Sequence, residues 1–203
     1  MANPPRLIVF AKAPLPGVAK TRLIPALGAA GAAALAQRML TYTLQQCVSA
    51  ALGPVELCVA PDARHAYWRE FSCPGGVQLT AQGPGDLGER LWRAAARALD
   101  CGVSPLLLGS DCPQLTARRL RAAATALGDT DAVLHPARDG GYTLLGLNRG
   151  AAALFEGIAW STDRVARQTA ERLALCGLRC THLEVLADID EPGDLQFLPS
   201  GWG

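Results

Sequence analysis

Leu106-Leu107-Leu108-Gly109-Ser110-Asp111-Cys112-Pro113 is an apolar run that ends in a glycine, a carboxylate and a proline. A strand with leucine at successive positions has no wet face, so it belongs in a sheet covered on both sides. Pro113 has no N–H with which to continue pairing. The strand therefore delivers Asp111 to its own carboxyl end. In open α/β sheets ligands bind beyond that end, which makes Asp111 the first candidate for function.

On either side of this stretch, strand-like and helix-like segments alternate. Leu7–Ala11 reads as a strand of continuous apolar residues, followed by a Pro/Gly loop. A long helix comes next, with Ala36, Leu40, Leu44, Cys47, Val48 and Ala51 on one face. Val55–Ala60 and Val77–Ala81 read as strands around a short helix at Ala63–Phe71. Asp86–Leu99 is a helix opened by Asp86 with Glu89 three residues on, the capping-box pattern. Thr116–Leu127 is a helix with Thr116 as N-cap. Ala132–His135 and Tyr142–Leu147 are strands around Asp139-Gly140-Gly141. Asp163–Cys176 is a helix capped by Ser161 or Thr162, Leu183–Ile189 a last strand and Pro192–Phe197 a closing helix. Apolar strands alternating with helices predict an α/β fold: a Rossmann-type, mainly parallel sheet flanked by helices on both faces. A length of 203 residues suits a single domain over 1–203.

Half the residues are hydrophobic, which excludes a disordered chain. Nineteen basic and eighteen acidic residues give a net charge of +1. The only basic cluster, Arg118-Arg119 with Arg121, reads as the wet side of a helix, so nucleic acid is not an expected partner. No apolar run is seen to approach the ~18 residues of a membrane span. Met1–Arg6 lacks the basic-then-apolar pattern of a signal peptide, so a membrane is not expected either. The seven cysteines are scattered, and Cys47 and Cys58 sit in apolar runs, which suits reduced thiols in a cytoplasmic protein. Cys176-x-x-x-Cys180 with His182 lacks a fourth ligand for zinc. Nothing in the sequence sets the oligomeric state.

Four stretches carry candidate chemistry. In Ala11–Arg22, Lys12, Lys20 and Arg22 gather near one strand end, and Gly17 allows close backbone approach. Three converging cations repel unless an anion joins them, and a phosphate chain is the natural one. This is not a Walker loop, because no glycine precedes Lys20-Thr21; the plain alternative is a solvated basic loop. Asp111 can ligate Mg²⁺ or Mn²⁺, hard cations that favour oxygen, or it can be a turn residue. Ser110 lacks a G-x-S-x-G setting, and Cys112 has no histidine motif to support it as a nucleophile. Asp188 and Asp190, two apart on the expected last strand, share a face. Carboxylates ~4 Å apart repel by several kcal/mol at an effective dielectric of ~20, which a cation would relieve; the alternative is Asp190 as a helix cap. In Arg138-Asp139-Gly140-Gly141-Tyr142, Asp-Gly between strands signals a hairpin. Functionally, Gly140 and Gly141 would let a substrate approach the backbone, with Asp139 contacting or deprotonating an acceptor. Trp160 reads as core before a stacking platform.

Together the residues resemble a known family. The carriers are Phe10-Ala11-Lys12-Ala13-Pro14, Pro16-Gly17, Lys20-Thr21-Arg22-Leu23 with Pro25 and Leu27-Gly28, then Asp86-Leu87-Gly88-Glu89-Arg90 and Gly109–Pro113. Asp139–Tyr142, Trp160-Ser161-Thr162 and Asp188–Leu195 follow in order. The chain resembles the DUF2064 family, also called rSAM/selenodomain-associated transferase 1 or arsenosugar-biosynthesis-type glycosyltransferase, within the GT-A-like nucleotide-diphospho-sugar transferase superfamily. The resemblance implies a GT-A-like fold with a nucleotide site at the carboxyl edge of the sheet. Lys20–Leu23 and Asp188–Asp190 are also similar to small nucleotidyltransferases that activate phospho-acids. The expectation is a metal-dependent transferase with a nucleotide-activated donor. One form is glycosyl transfer from a nucleotide sugar to a small-molecule acceptor. The other is nucleotidyl transfer from an NTP to a phosphorylated small molecule with pyrophosphate release. A non-catalytic nucleotide-binding protein is the third reading. Asp111 and Asp139 are then the catalytic candidates, and Asp111, Asp188 and Asp190 the metal ligands. Lys12, Gly17, Lys20, Arg22, Asp86 and Arg90 would bind nucleotide or phosphate; Gly140, Gly141 and Tyr142 would bind substrate.

Overall fold

Strand β1 (Arg6–Lys12) lies inside the sheet, flanked in parallel by β2 (Val55–Ala60) and β4 (Pro105–Gly109). In the computed structural model, which describes residues 3–202, seven strands make one sheet in the order β3-β2-β1-β4-β6-β5-β7. Here β3 is Val77–Ala81, β5 Ala132–Pro136, β6 Tyr142–Leu147 and β7 Cys180–His182. Strand β6 runs antiparallel to both neighbours, as the Asp139-Gly140-Gly141 hairpin requires; the other pairings are parallel.

Helices α1 (Ile24–Ala50) and α4 (Ala117–Leu127) cover one face; α3 (Leu87–Leu99) and α5 (Val165–Leu175) cover the other, and α2 (Ala66–Glu70) is short. Alternate strand residues feed the two cores. Leu7, Val9, Leu57, Leu106, Leu108 and Leu144 meet Leu40, Leu44 and Leu120 on the first side. Ile8, Cys58, Leu107, Leu134 and Leu145 meet Leu91, Ala94 and Leu173 on the second. This is the doubly covered α/β sheet expected from the continuous apolar strands.

Several local expectations need correction. The buried stripe of α1 contains Ala32, Ala36, Met39, Leu40, Leu44, Cys47 and Ala50, while Val48 is exposed and Ala51 is the left-handed cap beyond the helix. Thr21–Ala50 also meets the length and apolarity of a membrane span. Leucine, isoleucine and alanine together make it apolar, and the larger residues of the stripe pack in the core. Thr116 makes no capping bond to α4; Gln46 of α1 accepts from the Ala117 N–H at 2.8 Å instead. Helix α5 starts at Val165, and neither Ser161 nor Thr162 is its N-cap residue. The Gly140 carbonyl accepts from Ala166 N at 2.8 Å, so the hairpin turn itself closes this helix end.

Leu183–Ile189 is not a strand. Pairing stops at His182 and resumes only as a single bridge between Ala137 and Leu186. On this side β5 ends at Pro136, which has no N–H to offer. The closing helix Pro192–Phe197 is 3₁₀, with Glu191 and Asp194 forming its capping box. Met1 and Ala2, within the stretch inspected for a signal peptide, lie outside the described residues.

Candidate active site

A cleft of about 570 Å³ opens at the carboxyl ends of β1 and β4 and the start of β6. Lys20, Arg22, Asp111, Asp139, Gly141, Tyr142, Asp188 and Asp190 all line it. The backbone brings two remote segments together: Asp111 O accepts from Ile189 N at 2.9 Å, so the turn after β4 holds Asp188 and Asp190 beside it. Asp111 is further fixed by Ser110, whose hydroxyl donates to Oδ1 at 3.1 Å.

The first loop folds back over this edge. Val18 and Ala19 both donate to Leu15 O, and Lys20 follows in the left-handed region (φ 51°). That conformation is uncommon for a residue with a Cβ. The Lys20 Nζ lies 2.8 Å from Asp111 Oδ2 and 3.4 Å from Asp190 Oδ1. Arg22 Nη1 lies 2.8 Å from Asp190 Oδ2 and 3.5 Å from Glu191 Oε1. Burial alone would lower the Lys20 pKa; the Asp111 and Asp190 carboxylates outweigh it and hold the ammonium above its ordinary value. Asp188 behaves oppositely. Burial, then the nearby Asp139 charge, push its carboxyl up to about 6.

The hairpin at Asp139 is tightly built. Asp139 Oδ1 accepts from Gly141 N at 2.8 Å. Gly140 has φ +87°, and a Cβ there would collide with the backbone of Asp163. The freedom of Gly140 thus serves the packing of the turn on α5; the space expected for a substrate holds Asp163. Gly141 and Tyr142 face the cleft, and the Tyr142 hydroxyl is buried without a hydrogen-bond partner.

Lys12, Gly17, Asp86 and Arg90 are not among the residues that line the cleft. Asp86 caps α3, accepting from Glu89 N at 2.9 Å while Glu89 Oε2 accepts from Asp86 N at 2.7 Å. Arg90 donates to Gly85 O at 2.8 Å. Cys112 is buried, and burial pushes its thiol up to about 11, far from a reactive thiolate.

Other features escaped the sequence. Gln82 is buried and donates to both Ala11 O and Cys58 O at 3.1 Å, tying β1 to β2 at the cleft edge. Trp160 is a half-buried wall of the cleft beside Phe10, Leu87 and Leu91. A Cβ on Gly88 would come within 2.6 Å of the Phe155 carbonyl oxygen and 3.1 Å of the Trp160 ring, so the small residue in Asp86–Arg90 lets the start of α3 pack against both. Asp163 also lines the cleft. A lone Gln or Asp has no local pattern to mark it; the Gly88–Trp160 contact joins residues far apart in the chain.

Among the described residues, no three His, Cys, Asp or Glu side chains are gathered closely enough to hold an ion as they stand. Asp111 and Asp190 nevertheless share one cation, the Lys20 ammonium. Their oxygens are of the hard type that Mg²⁺ and Mn²⁺ take, so the donor set fits such an ion.

Comparison with known proteins finds relatives of this fold. A nucleotide-diphospho-sugar transferase by provisional assignment, from Desulfovibrio desulfuricans G20, superposes with a TM-score of 0.87 at 30% identity, covering 95% of this chain and 85% of its own. Rv0371c of Mycobacterium tuberculosis H37Rv, solved in complex with manganese, has a TM-score of 0.59 at 16% identity over 98% and 100% of the two chains. A 4-diphosphocytidyl-2C-methyl-D-erythritol synthase from Anaerococcus prevotii DSM 20548 has a TM-score of 0.59 at 13% identity over 96% and 97%. No curated protein matches the sequence. Fold and similarity place the chain in the class of nucleotide-using transferases. A family model described as an uncharacterized protein conserved in bacteria, DUF2064, matches residues 43–162, more than half of the chain. The protein belongs to the DUF2064 family.

Proposed function

We propose that this protein transfers a glycosyl group from a nucleotide sugar to a small acceptor in the presence of Mg²⁺ or Mn²⁺. The observation that carries this reading is the meeting of Lys20, Arg22, Asp111, Asp188 and Asp190 in one cleft at the carboxyl edge of the sheet. Asp111, Asp188 and Asp190 would hold the cation, which supplies Lewis-acid neutralisation of a diphosphate leaving group. Lys20 and Arg22 donate to the remaining phosphate oxygens. Asp139, near Asp188 in the same cleft, would accept from the acceptor hydroxyl and take its proton. Gly141, Tyr142 and Trp160 form the wall that positions the acceptor and keeps water out. Lys12, Gly17, Asp86 and Arg90 sit outside that wall and would reach only the distal part of the nucleotide.

The second reading is nucleotidyl transfer from an NTP to a phosphorylated small molecule. The cationic pair Lys20 and Arg22 favours it, since an NTP brings one more phosphate than a nucleotide sugar. One panel separates the readings. Thermal shifts are measured with NTPs and nucleotide sugars, with and without Mg²⁺ or Mn²⁺. A ligand at 100 times its Kd adds about 2.7 kcal/mol of stability. Release of a nucleoside diphosphate selects glycosyl transfer; release of pyrophosphate selects the alternative. No metal-dependent shift with any nucleotide would sink both.

A further inference from the structure

The cleft contains cations suited to phosphate and carboxylates suited to a metal, and the fold has already paired each with the other. Lys20 bridges Asp111 and Asp190, and Arg22 pairs with Asp190 and Glu191. The bridge is not a loose surface contact. The Lys20 side chain is only 8% exposed, although its two partners are about 40% exposed (42% and 38%). The left-handed backbone at Lys20 and the turn back from Leu15 aim that side chain into the cleft. Asp111 and Asp190 are held in turn by the bonds from Ser110 Oγ and, through its own N–H, to Asp194 Oδ2.

We infer that this cluster occludes the site against either ligand alone: Lys20 stands where a divalent cation would sit between Asp111 and Asp190, and metal and phosphate enter by exchanging partners. The inference rests on the reading above, that metal and phosphate meet in this cleft. A divalent cation arriving alone must expel Lys20 and leave its ammonium without a counter-charge in a half-closed cleft. A diphosphate arriving alone must draw Lys20 and Arg22 away and face the bared carboxylates. When both arrive, the carboxylates take the metal and the two cations take the phosphates, and no charge is left unpaired. Metal and nucleotide therefore strengthen each other's binding beyond any bond between them, and the coupling is reciprocal. It also protects the donor: without metal, the cleft does not present free cations to it.

The test has two arms with opposite signs. Mn²⁺ binding without nucleotide is followed by the electron paramagnetic resonance of the free ion for wild type, Lys20→Met, Lys20→Gln and Asp111→Asn. The Lys20 variants should bind Mn²⁺ alone about tenfold more tightly than wild type, within the range of ordinary coupling energies. Calorimetry with inorganic pyrophosphate in EDTA is the second arm, a probe with the diphosphate and no base. There Asp111→Asn should bind more tightly than wild type, because Lys20 loses its 2.8 Å partner and keeps only the 3.4 Å contact with Asp190. Lys20 variants that bind Mn²⁺ no better than wild type, while Asp111→Asn loses it, overturn the exchange and leave the metal site standing. If Asp111→Asn leaves Mn²⁺ binding at the wild-type level, the metal-site reading falls and the exchange with it. If both Lys20 variants fail to fold, the pyrophosphate arm decides alone, and no gain in Asp111→Asn overturns the inference.

Discussion

Two clusters of charged side chains occupy opposite ends of the parallel strands, and they are built from the same parts. Near the start of β2, Glu56 meets Arg97, Arg6 at 3.6 Å and Thr80, whose hydroxyl donates at 2.6 Å. At the carboxyl edge, Asp111 and Asp190 meet Lys20 and Arg22. The difference is water. Glu56 is 2% exposed, whereas Asp111 and Asp190 keep about 40% (42% and 38%). A carboxylate sealed in the sheet cannot change partners, because losing one strands a charge. Carboxylates that face an open cleft can give up their lysine when a metal and a phosphate arrive together. Composition therefore does not separate structural ion pairs from functional ones; access does.

The largest expected effect tests the open cluster. Asp111→Asn should lower metal-dependent turnover by about 10²–10³-fold, the cost of losing a main electrostatic contact to the leaving group. Its urea midpoint should fall by less than that of a sealed pair, because Asp111 keeps contact with water and Asp190 still faces the Lys20 ammonium. A large loss of stability with turnover intact would mean that the cleft cluster is structural after all. The mirror experiment is Glu56→Ala. It should cost about 3 kcal/mol, at the low end for breaking a buried pair because Arg6 and Arg97 keep some contact with water. The folded fraction should bind metal and nucleotide as wild type does. If stability is unchanged in urea melts, the two clusters do not differ as argued.

A third test works at the boundary between the regions. Gly140→Ala forces an L-residue into φ +87° and against the Asp163 backbone. About 2 kcal/mol is expected from the left-handed backbone alone, with the contact adding to it. The hairpin and the start of α5 should loosen together, visible as faster amide exchange at Ala166, whose N–H binds Gly140 O. Normal exchange there, with stability kept, would restore the reading in which Gly140 leaves room for substrate.

That glycine shows what the sequence could and could not say. Strands β1 and β4 and the Asp86–Glu89 capping box follow from nearby residues, and all were legible. So was the direction in which Asp111 points, since a strand has only one carboxyl end. Contacts across the chain were not. Lys20 and Asp190 are 170 residues apart, and nothing local in Ala11–Arg22 says that its cations will be neutralised by the protein's own carboxylates. The pairing of Gly88 with Trp160 and of Gln46 with the start of α4 were hidden in the same way. Leu183–Ile189 has strand-like composition, yet its partner β5 ends at Pro136, which has no N–H to offer. Asp188 and Asp190 came to one cleft by the bond from Ile189 N to Asp111 O, not by strand alternation.

The smallest effect sharpens the role of burial, starting away from the cleft. His135 on β5 is 2% exposed; its Nδ1 donates to Glu184 O at 2.9 Å, and Nε2 is buried without a partner. Burial, aided by the Arg119 charge, holds its pKa below the ordinary 6.5, against the pull of Glu184. A proton on Nε2 would have no acceptor, so the folded state keeps this ring neutral while the unfolded chain protonates it. The unfolded state thus binds more protons as pH falls below 6.5, and stability must fall with it. The contribution is present above 6.5 and is lost as pH drops through the folded pKa. His135→Gln should flatten the stability curve between pH 7.5 and 5.5, a range about a unit either side of that ordinary value. A slope as steep as wild type in that range would place the titrating group elsewhere. Asp188, raised from the ordinary 3.8 to about 6 by burial and the Asp139 charge, gives the opposite slope at more acidic pH, between those two values: its stabilising protonated form is lost as pH rises. Comparing His135→Gln with Asp188→Asn therefore separates a sealed ring from a carboxyl crowded in an open cleft by the sign of the change alone.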